Sequence, residues 1–415
     1  MAVTSAGEPE SRAGQEGRDI DPESIDLVDP ELYAHGDPYP VWAWLRLHEP
    51  VYRHRATTMP SFWAITRYDD VKAVYRDHET FSSAQGILLR PASQGSDPGG
   101  GRTMALTDPP RHHQLRSLVD RWFTTRAVRG MDGGMRSVAG EVVERALRLE
   151  ECDFVADIAA RLPLYVICRL MGIPAEDREF LFQLTSQAFG AGDANARSIA
   201  HQEIIRYFIG LIEKRRRAPA NDLVSMLVHG RVEGRPLTIE DILLNCDNLL
   251  VGGTENVRLA TAGGMQAFIE HPEQWRSLGT SPDLMASAVE EILRWTSSAT
   301  HIMRTATRRV RLHGRTIEEG DRVVLWNPSA NRDSQIFQRP DRFDITRQPN
   351  RHLALGAGRH FCIGSVLARA EMSALFSELR RQVGRVEPTG PAVRLSSIVV
   401  NGLEKLPVRL HPAVA

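Results

Sequence analysis

Cysteine is scarce in this chain: Cys152, Cys168, Cys246 and Cys362 are the only four among 415 residues, and they are scattered. That pattern excludes a disulfide framework and points to a reducing, cytoplasmic setting. Charge of one sign is missing too. With 51 basic against 52 acidic residues the formal net charge is −1, which gives no reason to expect nucleic acid or an anionic membrane as partner. No long apolar run is present, and residues 1–29 are rich in Glu, Asp, Ser, Gly and Arg. No signal peptide or membrane span is therefore expected, and 1–29 is predicted to be disordered. Between residue 30 and the end there is no break in composition, long linker or internal repeat. A single domain over 30–415, working as a monomer, is the expectation.

What is there reads as helix-rich. The chain is 42% hydrophobic and 25% charged, the balance of an ordinary globular protein. A helix over 40–48, strands at 51–55 and 61–65, and a helix over 68–77 open the pattern. Residues 82–104 form a loop loaded with Gly, Ser and Pro, including Gly99-Gly100-Gly101; irregular stretches of that length are usually functional or disordered. Helical periodicity then dominates to about Trp295. Alternation over 310–324 and 394–410 predicts short strands.

The chemistry gathers at Cys362, in the run Leu355-Gly356-Ala357-Gly358-Arg359-His360-Phe361-Cys362-Ile363-Gly364. Glycines around one cysteine let the backbone pass close to a flat, bulky partner. Val366, Leu367, Met372, Leu375, Phe376 and Leu379 follow at helical spacing, so the cysteine precedes a helix N-terminus, where amide N–H groups favour a thiolate. A lone thiolate in such a loop suits haem iron better than zinc, which needs further ligands close by. A buried free cysteine beside a turn is the competing reading.

This run resembles the haem-binding signature of the cytochrome P450 family, with Leu355 where the family has phenylalanine. The resemblance extends from Asp37 onward through five motifs in order. It implies a mainly α P450 fold with small β-sheets, haem b lying between a long central helix and the helix after Cys362, and Cys362 as the axial iron ligand. Leu355, Gly356 and Gly364 are implied to shape the cofactor's bed.

The central helix is read from Thr238, a plausible N-cap, to Pro272, roughly 50 Å at 1.5 Å per residue. Gly252 and Gly253 in its middle cost about 1 kcal/mol each against alanine. Close approach of a flat cofactor and dioxygen offsets that, or else tight packing against a neighbouring helix does. In the family an acid and an alcohol here relay protons to bound oxygen; this chain keeps Glu255 but has Asn256 in place of threonine. An amide lacks a readily relayed hydroxyl proton. Either Asn256 holds an ordered water or the substrate supplies part of the proton path. Outcomes other than oxygen insertion, such as ring closure, coupling or desaturation, gain weight.

Glu291 and Arg294 stand three apart, a spacing common for surface pairs, and Glu290 is an alternative partner four residues away. The resemblance makes Glu291, Arg294 and Arg342 a buried structural triad behind the cysteine loop. In Asp108-Pro109-Pro110-Arg111-His112, His112 and Arg116 share a helix face. By resemblance they hold the haem propionates together with Arg304 and His360. Substrate contacts implied by position are Ile87, Leu88, Phe189, Leu249, Val251, Thr300, Ile302, Val399 and Val400, mostly apolar, for a lipophilic small molecule, free or tethered to a carrier protein.

The resemblance further implies a monooxygenase using dioxygen, with electrons from NAD(P)H through a ferredoxin or flavodoxin and its reductase. Specialised-metabolite biosynthesis is the expected context. Arg111, Arg121 and Arg359 are expected to meet an acidic redox partner. A P450-fold haem protein that senses a ligand without turnover is the reading from another class.

Overall fold

The computed structural model describes residues 20–189 and 194–413. Its axis is the helix Ile239–Glu270, 32 residues long. Thr238 caps it, its hydroxyl accepting from the Asp241 N–H at 3.1 Å. The helix ends where the His271 N–H bonds to the Ala267 carbonyl at 2.8 Å and Pro272 starts the next helix. The helix after the cysteine, Ser365–Gln382, packs on the helices Asp132–Leu147 and Met285–Thr296 as well as on the central one. Phe268 of the central helix meets Phe376 of the cysteine helix at 5.7 Å between ring centres and Phe343 at 5.4 Å. This aromatic contact belongs to the largest apolar core of the molecule.

A five-stranded sheet flanks the helices in the order Val51–His54, Phe62–Ile65, Arg322–Trp326, His301–Ala306, Phe81–Ser82. Phe62–Ile65 runs parallel to Arg322–Trp326, and the other pairs are antiparallel. Val324 stands opposite Met303, and Trp326 opposite His301. The register thus places His301 to Arg304 in an inner strand. Val383–Pro388, Pro407–Pro412 and Cys152–Asp153 make a second sheet.

Disorder to residue 29 is contradicted over 20–29. Leu27 and Val28 are buried, the Leu27 N–H bonds to His54 Nε2 at 3.1 Å, and the Tyr33 hydroxyl donates to the Leu27 carbonyl at 2.8 Å. Four apolar residues, Ile20, Ile25, Leu27 and Val28, spaced irregularly in a polar stretch carry too little periodicity to announce that docking. Residues 1–19 lie outside the described residues.

The glycine-rich loop 82–104 is pinned at its far end. Asn245 of the central helix accepts from the Met104 N–H at 2.9 Å and donates to the Arg102 carbonyl at 3.2 Å. Gly100 is required there, because a Cβ would stand 2.7 Å from the Ala84 carbonyl oxygen. Among the described residues no helix is long and apolar enough to cross a membrane.

Candidate active site

The cysteine loop folds back on itself, the Cys362 N–H bonding to the Leu355 carbonyl at 3.0 Å. Gly356 and Gly358 have φ of 70° and 71°, and a Cβ on Gly358 would overlap the Tyr75 carbonyl oxygen. Tyr75, absent from the sequence reading, therefore sets the floor of the loop. Its hydroxyl donates to Asn327 at 2.9 Å. Burial pushes the Cys362 thiol up, while the Gly364 N–H, Arg116 and Arg369 pull it down. In the protein chain alone burial wins over the helix start, so full deprotonation falls to a coordinated metal. All four cysteines are free, and burial lifts Cys152 and Cys168 to about 12, which leaves them inert.

Beside the loop lies a buried basic cluster. His112 and His360 sit 4.1 Å apart between ring centres, and His360 Nε2 is buried without a hydrogen-bond partner. Burial first, then neighbouring cations, holds His112 down at about 4 and His360 at about 3. Arg304 is buried on the inner strand; its guanidinium donates to the Met303 carbonyl at 2.8 Å and stands over the Tyr75 ring at 5.7 Å. Among the described residues no carboxylate pairs with it within 4.0 Å. A buried cation that feels the Asp108 carboxylate only from beyond ion-pair contact, beside an unpaired imidazole, suits a further anionic ligand. Arg116 is partly committed elsewhere, donating to the Phe361 carbonyl at 2.9 Å.

The two helix glycines differ. Around Gly252 nothing lies within 4 Å of a would-be Cβ, whereas at Gly253 it would meet the Ile167 side chain at 3.0 Å. Gly253 is a packing glycine and Gly252 an open face. The Thr254 hydroxyl turns back to the Leu250 carbonyl at 2.9 Å. Glu255 is held by Arg258 at 2.6 Å, and Asn256 Oδ1 accepts from the Ser298 hydroxyl at 3.1 Å. Ser298 went unnoticed because it stands 42 residues downstream.

The buried triad needs correction. Glu291 and Arg294 do pair, with two bonds of 2.8 Å and no exposure of either side chain. The third member is Arg347, whose Nε lies 3.1 Å from Glu291, aided by Asn350 at 3.0 Å and the Asp344 N–H at 2.9 Å. Arg342 has an exposed side chain and contributes only its carbonyl, which accepts from Arg294 at 3.1 Å and Arg347 at 2.9 Å. The meander between them is irregular, so no period marks which arginine turns inward. Glu290 serves Arg369 and His352 instead, and although burial alone would push its carboxyl up, those bonds hold it at about 2.

Arg111, expected at a docking surface, is half-buried and tied inside the molecule. It bonds to the Gly101 carbonyl at 3.1 Å and reaches Asp241 at 3.4 Å and Glu233 at 3.6 Å. Arg121 and Arg359 are exposed, as is Phe361 in the cysteine loop.

Several expected pocket residues come together at the start of the inner strand. The Met303 N–H bonds to the Ile87 carbonyl at 2.7 Å, the Thr300 N–H to the Val399 carbonyl at 3.1 Å, and Ala299 bridges to Val400. Thr300 is buried with an unpartnered hydroxyl. Leu88, Val251 and Ile302 are half-buried and Leu249 is buried. Phe189 ends the helix Arg178–Phe189, and its side chain lies outside the described residues. A cavity of about 160 Å³ beside Tyr39, Trp295, Arg332 and Arg394 shares no residue with the cysteine loop.

A glycine-lined cysteine loop before a helix, a buried cation out of ion-pair contact with any carboxylate beside two imidazoles, and an open helix glycine fit a flat dianionic iron macrocycle; this is a haem-thiolate protein. The sequence model of the family "Cytochrome P450" matches residues 283–381. Cytochrome P450 NovI of Streptomyces niveus is 38% identical over 393 residues, 94% of this chain and 97% of that protein. The crystal structure of P450 OxyD, involved in the biosynthesis of vancomycin-type antibiotics, superposes with a TM-score of 0.88 at 37% identity, covering 94% of this chain and 100% of that one. P450BioI, solved in complex with an acyl carrier protein ligated to hexadec-9Z-enoic acid, gives 0.82 at 29% identity, covering 92% and 100%. The chain belongs to the cytochrome P450 family. Its class is that of the haem-thiolate monooxygenases, oxidoreductases that use dioxygen, and its fold is the expected mainly α P450 fold.

Proposed function

We propose that this P450 hydroxylates, or epoxidises, a lipophilic acyl substrate in specialised-metabolite assembly while the substrate is presented by a carrier protein. The observation that carries the reading is the unpaired Thr300 hydroxyl, buried beside apolar Ile302, Val399 and Val400. An apolar wall with one polar point suits a chain bearing a single polar group near the reacting carbon. The OxyD and P450BioI relatives support the biosynthetic and carrier parts.

When bound, haem b supplies reductive activation of dioxygen at a thiolate-ligated iron. Cys362 is assigned as its ligand, with Leu355, Gly356 and Gly364 shaping the bed. Arg304, His112, His360 and Arg116 hold the propionates through charge-assisted bonds. Gly252 leaves room on the oxygen side. Glu255, steadied by Arg258, and the Ser298 hydroxyl, bonded to Asn256, are the groups we assign to proton supply on that side. Electrons come from NAD(P)H through a ferredoxin or flavodoxin and its reductase, docking near Arg121, Arg359 and Phe361. We assign a monomeric, single-domain enzyme working in the cytoplasm.

A second reading, ring closure or coupling without oxygen insertion, is favoured by Asn256 alone, since an amide stands where a relaying alcohol would and the neighbouring Thr254 hydroxyl is turned back to the Leu250 carbonyl. A Soret spin-shift titration against free lipophilic acids and the same acyl groups on carrier proteins tests the first reading. A shift with tethered groups only is expected; a shift with free compounds only overturns the carrier assignment. Labelled dioxygen in the product then separates insertion from coupling.

A further inference from the structure

His301 is a buried histidine at the start of the inner strand, with no exposed surface. Its ring makes two long-range bonds. Nδ1 faces the Ile398 carbonyl at 2.9 Å, and Nε2 faces the Leu89 N–H at 3.0 Å. A carbonyl demands a donor and an N–H demands an acceptor, so the ring is neutral with its proton on Nδ1. Trp326 backs it at 5.4 Å between ring centres.

These two bonds reach the two segments that flank the strand. Leu89 follows Ile87 and Leu88 in the glycine-rich loop, and Ile398 precedes Val399 and Val400 near the C-terminus. Backbone bonds already join each segment to the strand, from Met303 to Ile87 and from Thr300 to Val399. No backbone group of the strand reaches Leu89 or Ile398. Among their hydrogen bonds the imidazole alone links the two, and because it is rigid it holds their separation, on top of the apolar cluster that Leu89 and Ile398 share with Met303 and Trp326.

We propose that His301 is a specificity-determining positioning residue: it sets the gap between the Ile87–Leu88 wall and the Val399–Val400 wall, and so the girth of the substrate the site takes. This rests on the reading of those residues as pocket walls. Without the ring, a buried N–H and a buried carbonyl lose their partners, and the walls are left to the strand's backbone bonds and an apolar cluster, which yield more readily.

The test uses ferric holoenzyme and a ladder of iron-binding azoles of rising girth: imidazole, 4-phenylimidazole and a triarylmethyl-imidazole, followed by Soret titration. In His301→Leu, with haem content retained, binding of the widest azole relative to imidazole should rise about tenfold, as expected when a buried hydrogen-bond pair is lost. His301→Asn keeps a donor for Ile398, and His301→Gln keeps an acceptor for Leu89; each should move the ratio part of the way. Unchanged ratios in all three overturn the inference. If the variants lose haem, hydrogen exchange on wild-type holoenzyme decides: the Leu89 amide should be as protected as the Met303 amide, and exchange as fast as at Gly95 overturns it. A wild-type protein that binds none of the azoles at iron instead refutes the haem-site reading, and the Leu89 exchange result still judges His301.

Discussion

Ser298 donates its hydroxyl to the side-chain oxygen of Asn256 across 3.1 Å, so the amide on the central helix is fixed from a segment that follows another helix. Ser298 is itself held, its carbonyl accepting from the Asn401 N–H at 2.8 Å. With its oxygen occupied, the amide presents its NH₂ group to the surroundings, and the exchangeable hydroxyl stands one bond further back. Ser298→Ala should therefore raise the share of reductant lost as hydrogen peroxide by about fivefold or more, part of the ~10²–10⁴ that positioned proton transfer contributes. Peroxide assay against product yield checks it; an unchanged ratio removes Ser298 from the proton path.

The corrected triad separates two arginines. Arg347→Ala leaves Glu291 short of a buried partner and should cost about 3–5 kcal/mol along with haem incorporation. Arg342→Ala removes only an exposed side chain and should stay within about 0.5 kcal/mol of wild type. Denaturation midpoints and haem absorbance per chain read both.

Three glycines make a second contrast. Gly358→Ala collides with the Tyr75 carbonyl and sits at positive φ, so holoprotein should be lost. Gly252→Ala meets nothing in the protein and should stabilise the apoprotein by about 1 kcal/mol through helix propensity. Its added methyl should nevertheless slow carbon monoxide binding to the ferrous enzyme. Gly253→Ala presses on Ile167 and should destabilise the apoprotein instead.

Acid should act through His301. Burial, only partly opposed by the bond to Ile398, lowers it from 6.5 to about 4. Above pH 6.5 folded and unfolded chains are both neutral at this ring. As pH falls from 6.5 towards 4 the unfolded chain takes a proton that the folded one refuses, so stability drops. The loss is complete below the folded value and amounts to about 3 kcal/mol. His301→Gln cannot titrate, so its stability deficit relative to wild type should shrink over that interval. A deficit constant with pH would show that the ring does not titrate as stated.

The sequence spoke clearly wherever chemistry is local. The central helix begins and ends where Thr238 and Pro272 place it, and the glycine spacing around Cys362 matches the turn observed, because caps and turns are decided by neighbours in the chain. The basic residues expected beside the cysteine, His112, Arg304 and His360, do lie together. What stayed hidden joins distant segments: Arg347 rather than Arg342 at Glu291, Ser298 at Asn256, Tyr75 beneath Gly358. Arg347 and Ser298 are ordinary residues in irregular stretches and Tyr75 sits near the end of a helix, and only the packed chain shows which distant group each one meets.

Glu290 bonds both His352, ahead of the cysteine run, and Arg369, behind it, so a single carboxylate staples the two arms of the loop. Leu353 is also tied, its N–H bonding to Asn331 at 2.7 Å. The bracket is made by the polypeptide's own side chains, so a change at Glu290 would loosen both arms of the receptacle at once.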